Sequence, residues 1–264
     1  MGLIDLHCHL LAGIDDGPPD IDGSVALATA YLAAGITRVA ATPHVNLRHR
    51  NRSGEIARRR EELEARLAEE DIDLTVEAGA EISAPVAAEL DDDELRRLTL
   101  AGGEWLLVEP PTRASAFEIH SAVFEVQSRG FRILLAHPER NPALQRDLDM
   151  VADLVESGVR TQVTAEALTG RYGGLSEKCA HAMIERRLIH TLASDAHHAF
   201  DRPPGLAEEL KRTGHKDLIQ WLCQDMPAWI LDGGEEPPRP ERGGTDGDEP
   251  GRSRGLFGRL GRRR

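Results

Sequence analysis

Short apolar runs alternate with longer stretches of helical period through most of this 264-residue chain. Strand followed by helix, repeated, predicts βαβ units whose strands run parallel. Seven parallel strands suit a closed or nearly closed barrel better than a flat, open sheet. We therefore expect an α/β fold of the TIM-like barrel type, with an open doubly wound sheet as the alternative. The seven runs are Leu3–Leu6, Arg38–Ala41, Leu74–Ala78, Trp105–Val108, Arg132–Ala136, Arg160–Val163 and Ile189–Ala193.

Amphipathic helices are predicted between these strands. Several of them end in a glycine, such as Gly35, Gly130 and Gly158, at a position where a left-handed residue commonly closes a helix. Aromatic residues make up only 4% of the chain, so aliphatic side chains must fill the core. The predicted helices are Ser24–Ala34, Glu55–Glu69, Ala116–Ser128, Leu144–Glu156 and Ser176–Arg187.

The formal net charge of -13 limits the class of ligand. Binding to a nucleic-acid backbone depends on clustered Lys and Arg, so an acidic chain is not expected to bind nucleic acid. Phosphate substrates remain compatible, because bound metal ions can reverse the sign of the local field.

Cysteine usage and the N-terminus indicate the compartment. Cys8, Cys179 and Cys223 are too few for a disulfide framework, and none begins the Cys-x5-Arg loop of thiol-based phosphatases. The first residues lack the pattern of a secretory signal, and no run of roughly 18 apolar residues could span a bilayer. We therefore expect a cytoplasmic protein with buried, unreactive thiols.

The globular domain is expected to cover residues 1–232. Residues 233–264 are rich in Pro, Gly and charge, and we expect them to form a disordered tail. The basic C-terminus surrounds Leu256, Phe257 and Leu260 with arginines, a pattern that can make a weak contact with an anionic membrane surface. The alternative is a solubilising tail that folds back on the acidic body.

Side chains that can bind metals follow six of the seven runs. His7 and His9 form a His-x-His pair, and residues at i and i+2 of a strand point to one face, so both imidazoles can reach one ion. A single such residue is more often structural, but a candidate ligand at nearly every strand end is not accidental. In a (β/α) barrel these ends form one rim. The other candidates are Asp15, Asp16, His44, Glu81, Glu109, His137, Asp195 and His197.

The mixture of imidazole and carboxylate suits Zn, Fe or Mn. The candidates outnumber the ligands of one ion, so two or three ions are expected, bridged by a carboxylate. Such a cluster supplies hydroxide at neutral pH and offsets charge on phosphoryl oxygens. Arg140 and Arg202 lie beside the ligand segments, where a guanidinium can grip two phosphate oxygens.

At this point the sequence resembles the PHP (polymerase and histidinol phosphatase) phosphoesterases. The segments DLHCHLLAGIDDGP, ATPH, GAEI, LAHPER and ASDAHH, followed by RPP, carry the resemblance. The IDDGP, HPER and SDAHH blocks are most similar to bacterial protein-tyrosine phosphatases of capsular and exopolysaccharide operons. The resemblance runs from Ile4 to about Asp232. The segment Arg48–Arg60 departs from the family pattern and is expected to alter how substrate reaches the site.

The resemblance implies a distorted (β/α)7 barrel of the PHP type that holds three divalent metals, often Mn, with Fe or Zn as alternatives. Arg140 and Arg202 would bind phosphate, while His44 or Asp16 could relay a proton to a phenolate that needs no strong acid. Glu81 is expected to bridge two ions. The implied ligands are His7, His9, Asp16, His44, Glu81, Glu109, His137, Asp195 and His197.

The activity implied is hydrolysis of phosphotyrosine on a protein by metal-activated hydroxide. The expected substrate is the tyrosine-rich tail of a membrane-bound bacterial tyrosine kinase that controls polysaccharide export. A small-molecule phosphatase, such as histidinol phosphatase, is the alternative enzyme. A non-enzymatic phospho-binding module is disfavoured, because it has no need for so many ligands.

Overall fold

The computed structural model describes residues 2–111 and 114–241. The strands are β1 (Leu3–Cys8), β2 (Ile36–Ala41), β3 (His44–Val45), β4 (Thr75–Ala78), β5 (Glu81–Ser83), β6 (Trp105–Glu109), β7 (Arg132–Ala136), β8 (Arg160–Thr164) and β9 (Thr191–Ala193). The α-helices are α1 (Ile21–Ala33), α2 (Ser53–Glu69), α3 (Ala84–Glu89), α4 (Asp92–Arg97), α5 (Ala116–Ser128), α6 (Pro142–Arg146), α7 (Leu148–Glu156), α8 (Gly174–Glu185), α9 (Ala207–Arg212) and α10 (Met226–Asp232). Shorter helical segments cover Leu100–Gly102, Pro138–Arg140, Ala165–Thr169, Lys216–Leu218 and Trp221–Asp225.

The strands form two parallel sheets, in the orders β1-β2-β4 and β3-β5-β6-β7-β8-β9. These sheets are parts of one barrel, because β3 continues the path of β2 and β5 continues the path of β4. The path from β2 to β3 is interrupted at Pro43, which has no N–H to donate to the ladder. The Pro43 carbonyl still accepts a hydrogen bond from Glu81 N at 3.1 Å. The strands of the described ranges therefore occupy seven positions, as the sequence predicted.

Hydrogen bonds between the first and last strand paths close the barrel. Cys8 forms a parallel bridge with Ala196, and Asp195 N donates to the carbonyl of His7 at 3.0 Å. The predicted barrel is confirmed, and the open doubly wound sheet is excluded.

The second interruption, at Gly79, depends on the absence of a side chain. A Cβ at this position would lie 2.9 Å from Leu100 Cδ2 and 3.0 Å from Thr42 Cγ2. The path from β4 to β5 therefore passes closer to its neighbours than any other residue would permit. Beyond the break, β5 begins at Glu81, which faces the rim.

One predicted helix is wrong as a single element. The stretch Leu144–Glu156 is divided into α6 and α7 at Asp147. The Asp147 side chain accepts hydrogen bonds from Asp149 N and Met150 N at 3.1 and 3.2 Å, which is the pattern of an N-cap. The apolar periodicity continues across the break, so periodicity alone did not reveal it.

The N-terminal ends of the strands are covered by tryptophans and arginines. Trp105 and Trp229 meet edge to face with ring centroids 5.3 Å apart, and the Arg132 guanidinium lies 4.2 and 4.7 Å from the two ring centroids. The indole N–H of Trp229 donates to Gly234 O at 3.1 Å. This end of the barrel is therefore closed by paired aromatic and cationic groups.

The residues that follow α10 continue along this N-terminal face. Glu236 accepts two hydrogen bonds from Arg160 at 2.9 and 2.7 Å. Arg239 donates to Arg187 O and Ile189 O at 2.7 and 3.0 Å. We call residues 234–239 the C-terminal strap. The division into barrel and tail at residue 232 stays a prediction, and the predicted disorder and membrane contact of the tail from residue 242 onward lie outside the described residues.

Candidate metal centre

All nine predicted ligands meet at the C-terminal rim of the barrel. They form four overlapping groups whose possible ligand atoms lie within 4.8 Å of one another. The groups are His9, Asp16, His44 and His197; His7, His9 and Asp195; His7, Glu81 and His137; and His44, Glu81 and Glu109.

Glu81 lies at the centre of this arrangement and is 1% exposed. Its Oε2 lies 2.8 Å from His44 Nδ1, 3.3 Å from His7 Nε2 and 3.4 Å from His9 Nε2. Its Oε1 lies 2.7 Å from His137 Nε2. One carboxylate thus faces four imidazoles, which is the geometry expected of a bridging ligand.

Four polar atoms beneath the rim have no hydrogen-bond partner of acceptable geometry among the described residues. They are His7 Nε2, His9 Nε2, His44 Nδ1 and Glu81 Oε2, and all four are buried. Leaving a buried polar atom unsatisfied costs about 1–3 kcal/mol. Four such atoms converging on one space fit divalent cations, which accept lone pairs from imidazole and carboxylate alike.

The outward ring nitrogens have partners that fix the orientation of the imidazoles. His9 Nδ1 lies 2.7 Å from Asp15 Oδ2, and His7 Nδ1 lies 2.8 Å from Gln162 Oε1. A carboxylate oxygen accepts, so His9 donates from Nδ1 and directs the lone pair of Nε2 inward. Asp15 was only a candidate ligand in the sequence, and Gln162 was missed. The available signal was an amide side chain within a predicted strand, Arg160–Val163.

The segment that carries Asp16 lies folded closely over His9. Asp15 accepts from Gly17 N at 2.9 Å and from His44 N at 3.0 Å. A Cβ on Gly17 would lie 2.5 Å from His9 O, so only glycine permits this approach. The fold of the segment brings Asp16 Oδ1 to 3.4 Å from His197 Nε2.

Two ligand candidates have a left-handed backbone. His137 has φ 32° and ψ 53°, and Asp195 has φ 51°. His137 directly follows β7, and Asp195 lies two residues beyond the end of β9. Such conformations cost about 1–3 kcal/mol for residues other than glycine and occur preferentially at functional sites. The rim therefore holds its side chains in place at the expense of local backbone stability.

The carboxylates differ in their electrostatic surroundings. Burial raises the pKa of Glu109 to about 7, and the nearby charge of Glu81 acts in the same direction. A hydrogen bond with His197 instead holds the pKa of Asp16 well below its usual range. Asp16 is therefore ionised at neutral pH. A cation near Glu81 and Glu109 would relieve their repulsion.

Asp195 organises the two predicted phosphate-binding arginines. Its Oδ2 accepts from Arg140 Nη1 at 2.8 Å and from Arg202 Nη2 at 2.7 Å. Although burial raises the pKa of Asp195, the charges of Arg140 and His7 hold it well below its usual range. The Arg140 guanidinium also lies 4.8 Å from the ring centroid of Tyr172, a residue that the sequence analysis missed.

Both arginines line a cavity of about 270 Å³ at the rim. Its other lining residues include seven of the nine candidate ligands, together with Pro110 and Asn141. His7 and His9 do not line it, and both are fully buried. Cationic guanidinium groups and metal-binding side chains thus share one opening, which suits a small anion such as a phosphoryl group.

Comparison with known proteins gives a family. The sequence profile described as "Capsular polysaccharide synthesis, CpsB/CapC" matches residues 3–231. Tyrosine-protein phosphatase YwqE of Bacillus subtilis (strain 168) is 33% identical over 201 residues, which are 76% of this chain and 79% of that protein. Tyrosine-protein phosphatase CpsB of Streptococcus pneumoniae is 28% identical over 246 residues, or 87% and 98% of the two chains.

Solved structures agree with the sequence comparison. A crystal structure from work on YwqE of Bacillus subtilis and CpsB of Streptococcus pneumoniae, described as metal-dependent tyrosine phosphatases, superposes with a TM-score of 0.74 at 28% identity. It covers 88% of this chain and 95% of that one. An amidohydrolase from Mycoplasma synoviae, with a TM-score of 0.57 and 13% identity, shares the fold alone. Since the family profile spans the barrel from its first strand to its last helix, this chain belongs to the CpsB/CapC family of capsular polysaccharide synthesis.

Proposed function

We propose that this chain is a metal-dependent protein-tyrosine phosphatase. The observation that carries the proposal is the convergence of nine imidazole and carboxylate side chains with Arg140 and Arg202 on one rim. Its relatives YwqE and CpsB are named tyrosine-protein phosphatases, which supports the same activity here.

Two to three divalent ions would be held by the nine residues, with Mn expected first and Fe or Zn as alternatives. Glu81 belongs to two of the four groups and has two carboxylate oxygens, so we assign it to a position between ions, and each imidazole would hold one ion through a single nitrogen. When bound, such ions lower the pKa of water and offset negative charge on phosphoryl oxygens. The buried, unsatisfied atoms of His7, His9, His44 and Glu81 support this assignment.

Arg140 and Arg202 bind the non-bridging oxygens of the phosphoryl group. Both guanidinium groups are fixed by the same Asp195 oxygen, and both retain further N–H donors toward the cavity. Charge-assisted hydrogen bonds of this kind become stronger as charge develops in the transition state. Asp195 therefore serves as the positioning residue for both arginines.

The reaction breaks the bond between phosphorus and the tyrosine oxygen and joins a water oxygen to phosphorus. Asp16 would hold a cation through one carboxylate oxygen, and its second oxygen would orient the attacking water as one candidate for relaying its proton. His44 Nε2 lies 3.6 Å from Asp16 Oδ1 and is the second candidate for moving that proton. The leaving phenolate is stable enough to depart without a strong acid.

We further propose that the substrate is a membrane-bound bacterial tyrosine kinase that controls polysaccharide export, and that the phosphatase works in the cytoplasm. Among the described residues, no helix is both long and apolar enough to cross a bilayer. The proposed weak membrane contact would come from the basic C-terminus, whose arginines follow residue 251.

Hydrolysis of p-nitrophenyl phosphate with Mn, with Fe, with Zn and without metal tests the phosphatase activity. We expect turnover only with metal. No turnover with any of the three metals would contradict the proposal and favour a binding module.

A second measurement addresses substrate class. We expect a phosphotyrosine peptide to have a higher kcat/KM than histidinol phosphate. The reverse order would instead identify the chain as a small-molecule phosphatase.

A further inference from the structure

A second groove lies beside the catalytic cavity, between the segment that follows β3 and helix α3. It has a volume of about 220 Å³. Leu47, which is 70% exposed, and the partly buried Val86 supply apolar surface, and Arg50 and Arg52 supply positive charge. The sequence of this arginine-rich segment predicts a departure from the family pattern. We call this cavity the arginine groove.

The arginine groove is continuous with the catalytic edge of the barrel. Val45 directly follows His44 in β3, so one strand contributes to both cavities. Asn51 Nδ2 donates to His44 O at 2.8 Å, and the His49 ring stacks on the His44 ring with centroids 5.8 Å apart. A peptide whose phosphotyrosine enters the catalytic cavity can therefore reach this groove with a neighbouring residue.

The arginines of this segment differ from those of helix α2. Arg58, Arg60 and Arg66 each lie within ion-pair distance of a glutamate four residues further along the chain. By contrast, Arg50 and Arg52 are exposed and make no ion pair with any carboxylate of residues 2–111 or 114–241. In a chain whose formal charge is -13, unpaired arginines beside the catalytic opening are positive charge that intramolecular pairing does not use.

We propose that the arginine groove binds an acidic segment of the phosphotyrosine-bearing protein. A carboxylate of that segment pairs with Arg50 and Arg52, and a neighbouring apolar side chain packs on Leu47 and Val86. This inference rests on the proposed function and adds a requirement on the sequence around the phosphotyrosine.

Charge complementarity favours this occupant over a neutral or basic one. The acidic body of the enzyme repels acidic peptides, so a local positive groove beside the opening steers such a peptide and fixes its register. Glu89 is a carboxylate that lines the same groove and opposes the attraction. Replacement of Glu89 should therefore raise the affinity for an acidic peptide, whereas replacement of the arginines should lower it.

Binding is measured by fluorescence anisotropy with labelled peptides that carry a non-hydrolysable phosphotyrosine mimic. One peptide has glutamates on both sides of the mimic, and its control has glutamines at the same positions. The proteins are the wild type, the double variant Arg50→Gln/Arg52→Gln and Glu89→Gln. Arg58→Gln is the matched control, because Arg58 is exposed on α2 and does not line the groove.

We expect the wild type to bind the glutamate peptide about fivefold more tightly than the glutamine peptide, and the double variant to lose that preference. Glu89→Gln should increase the preference by about twofold, and Arg58→Gln should leave it unchanged. High salt should reduce the wild-type preference, since exposed charges are screened. Equal binding of both peptides by the wild type, or an unchanged preference in the double variant, would overturn the proposal.

Turnover of p-nitrophenyl phosphate is measured on the same proteins as an independent readout. This substrate has no flanking segment, so we expect all four proteins to hydrolyse it at the same rate. Loss of hydrolysis only in the double variant would overturn the inference, because it would place these arginines in the catalytic machinery. Absence of hydrolysis in every protein would count against the phosphatase activity, while the peptide preference is still read from anisotropy.

Discussion

The two ends of the barrel treat buried polar groups in opposite ways. At the C-terminal rim, His7, His9, His44 and Glu81 direct unsatisfied atoms into one space. At the N-terminal face, Trp229 has both an aromatic partner in Trp105 and an acceptor for its N–H in Gly234. The rim therefore leaves four converging polar atoms available to bind an ion, whereas the indole N–H of Trp229 is satisfied within the fold.

The difference separates stability from chemistry along the barrel axis, as in other (β/α) barrels. All three tryptophans of the chain, Trp105, Trp221 and Trp229, belong to the N-terminal face or the segments that cover it. Intrinsic fluorescence is thus a reporter of that face alone. If the two ends are independent, a change at the rim should leave the N-terminal face unchanged, and a change at that face should leave catalysis unchanged.

Chelation should have the largest effect and should act on the rim only. Removing divalent ions is expected to abolish phosphatase activity, because the proposed nucleophile is a water molecule that the ions activate, while tryptophan fluorescence stays unchanged. Iodoacetamide should leave activity intact, since all three thiols are buried and burial raises the pKa of Cys179 to about 12. A fluorescence shift on chelation would show that the two ends are coupled, and inactivation by alkylation at unchanged metal content would contradict the metal mechanism.

Trp229→Ala should have the next largest effect, on stability. Loss of a buried tryptophan costs about 3–5 kcal/mol of unfolding free energy, which denaturant titration measures. The kcat of the protein that remains folded should match the wild type. Trp229→Phe, which keeps an aromatic contact with Trp105, is the control and should lose less. A variant of normal stability with reduced kcat would break the proposed separation.

Arg140→Ala and Arg202→Ala should each reduce kcat/KM. The reduction should correspond to a loss of about 2–4 kcal/mol of transition-state stabilisation. Both variants should bind metal and unfold as the wild type does. Arg140→Lys should recover only part of the activity, because an ammonium cannot form the two-pronged contact. If metal content falls in either alanine variant, the arginine supports the ligands and does not bind substrate.

Substitution of Tyr172 should have the smallest effect on kcat, and it tests whether the Tyr172 ring positions Arg140. The Tyr172 ring lies against the Arg140 guanidinium, a contact worth about 0.5–1 kcal/mol. Tyr172→Leu is expected to lower kcat two- to fivefold by that amount, and Tyr172→Phe should retain nearly full activity. Equal losses of kcat in both variants would show that the Tyr172 hydroxyl, and not the ring, supports Arg140.

The positions that sequence predicted well are those where local chemistry and topology coincide. Parallel strands all end at one rim, so ligands such as His137 and Asp195 could be expected to meet without any coordinates. The orienting contact of Gln162 with His7 could not, because it joins strands far apart in sequence. The break at Asp147 was missed because a capping side chain ended one helix inside an uninterrupted apolar pattern.

The C-terminal strap determines the face of the barrel from which the chain continues beyond residue 241. Its contacts with Arg160, Arg187 and Ile189 involve segments at the starts of the last two strands, on the side of the barrel away from the rim. The chain therefore continues beyond residue 241 from the back of the enzyme. Its last 23 residues could reach at most about 80 Å if extended. The proposed contact of the basic C-terminus with a membrane would therefore attach the enzyme from the face opposite the catalytic rim and leave the rim directed away from that membrane.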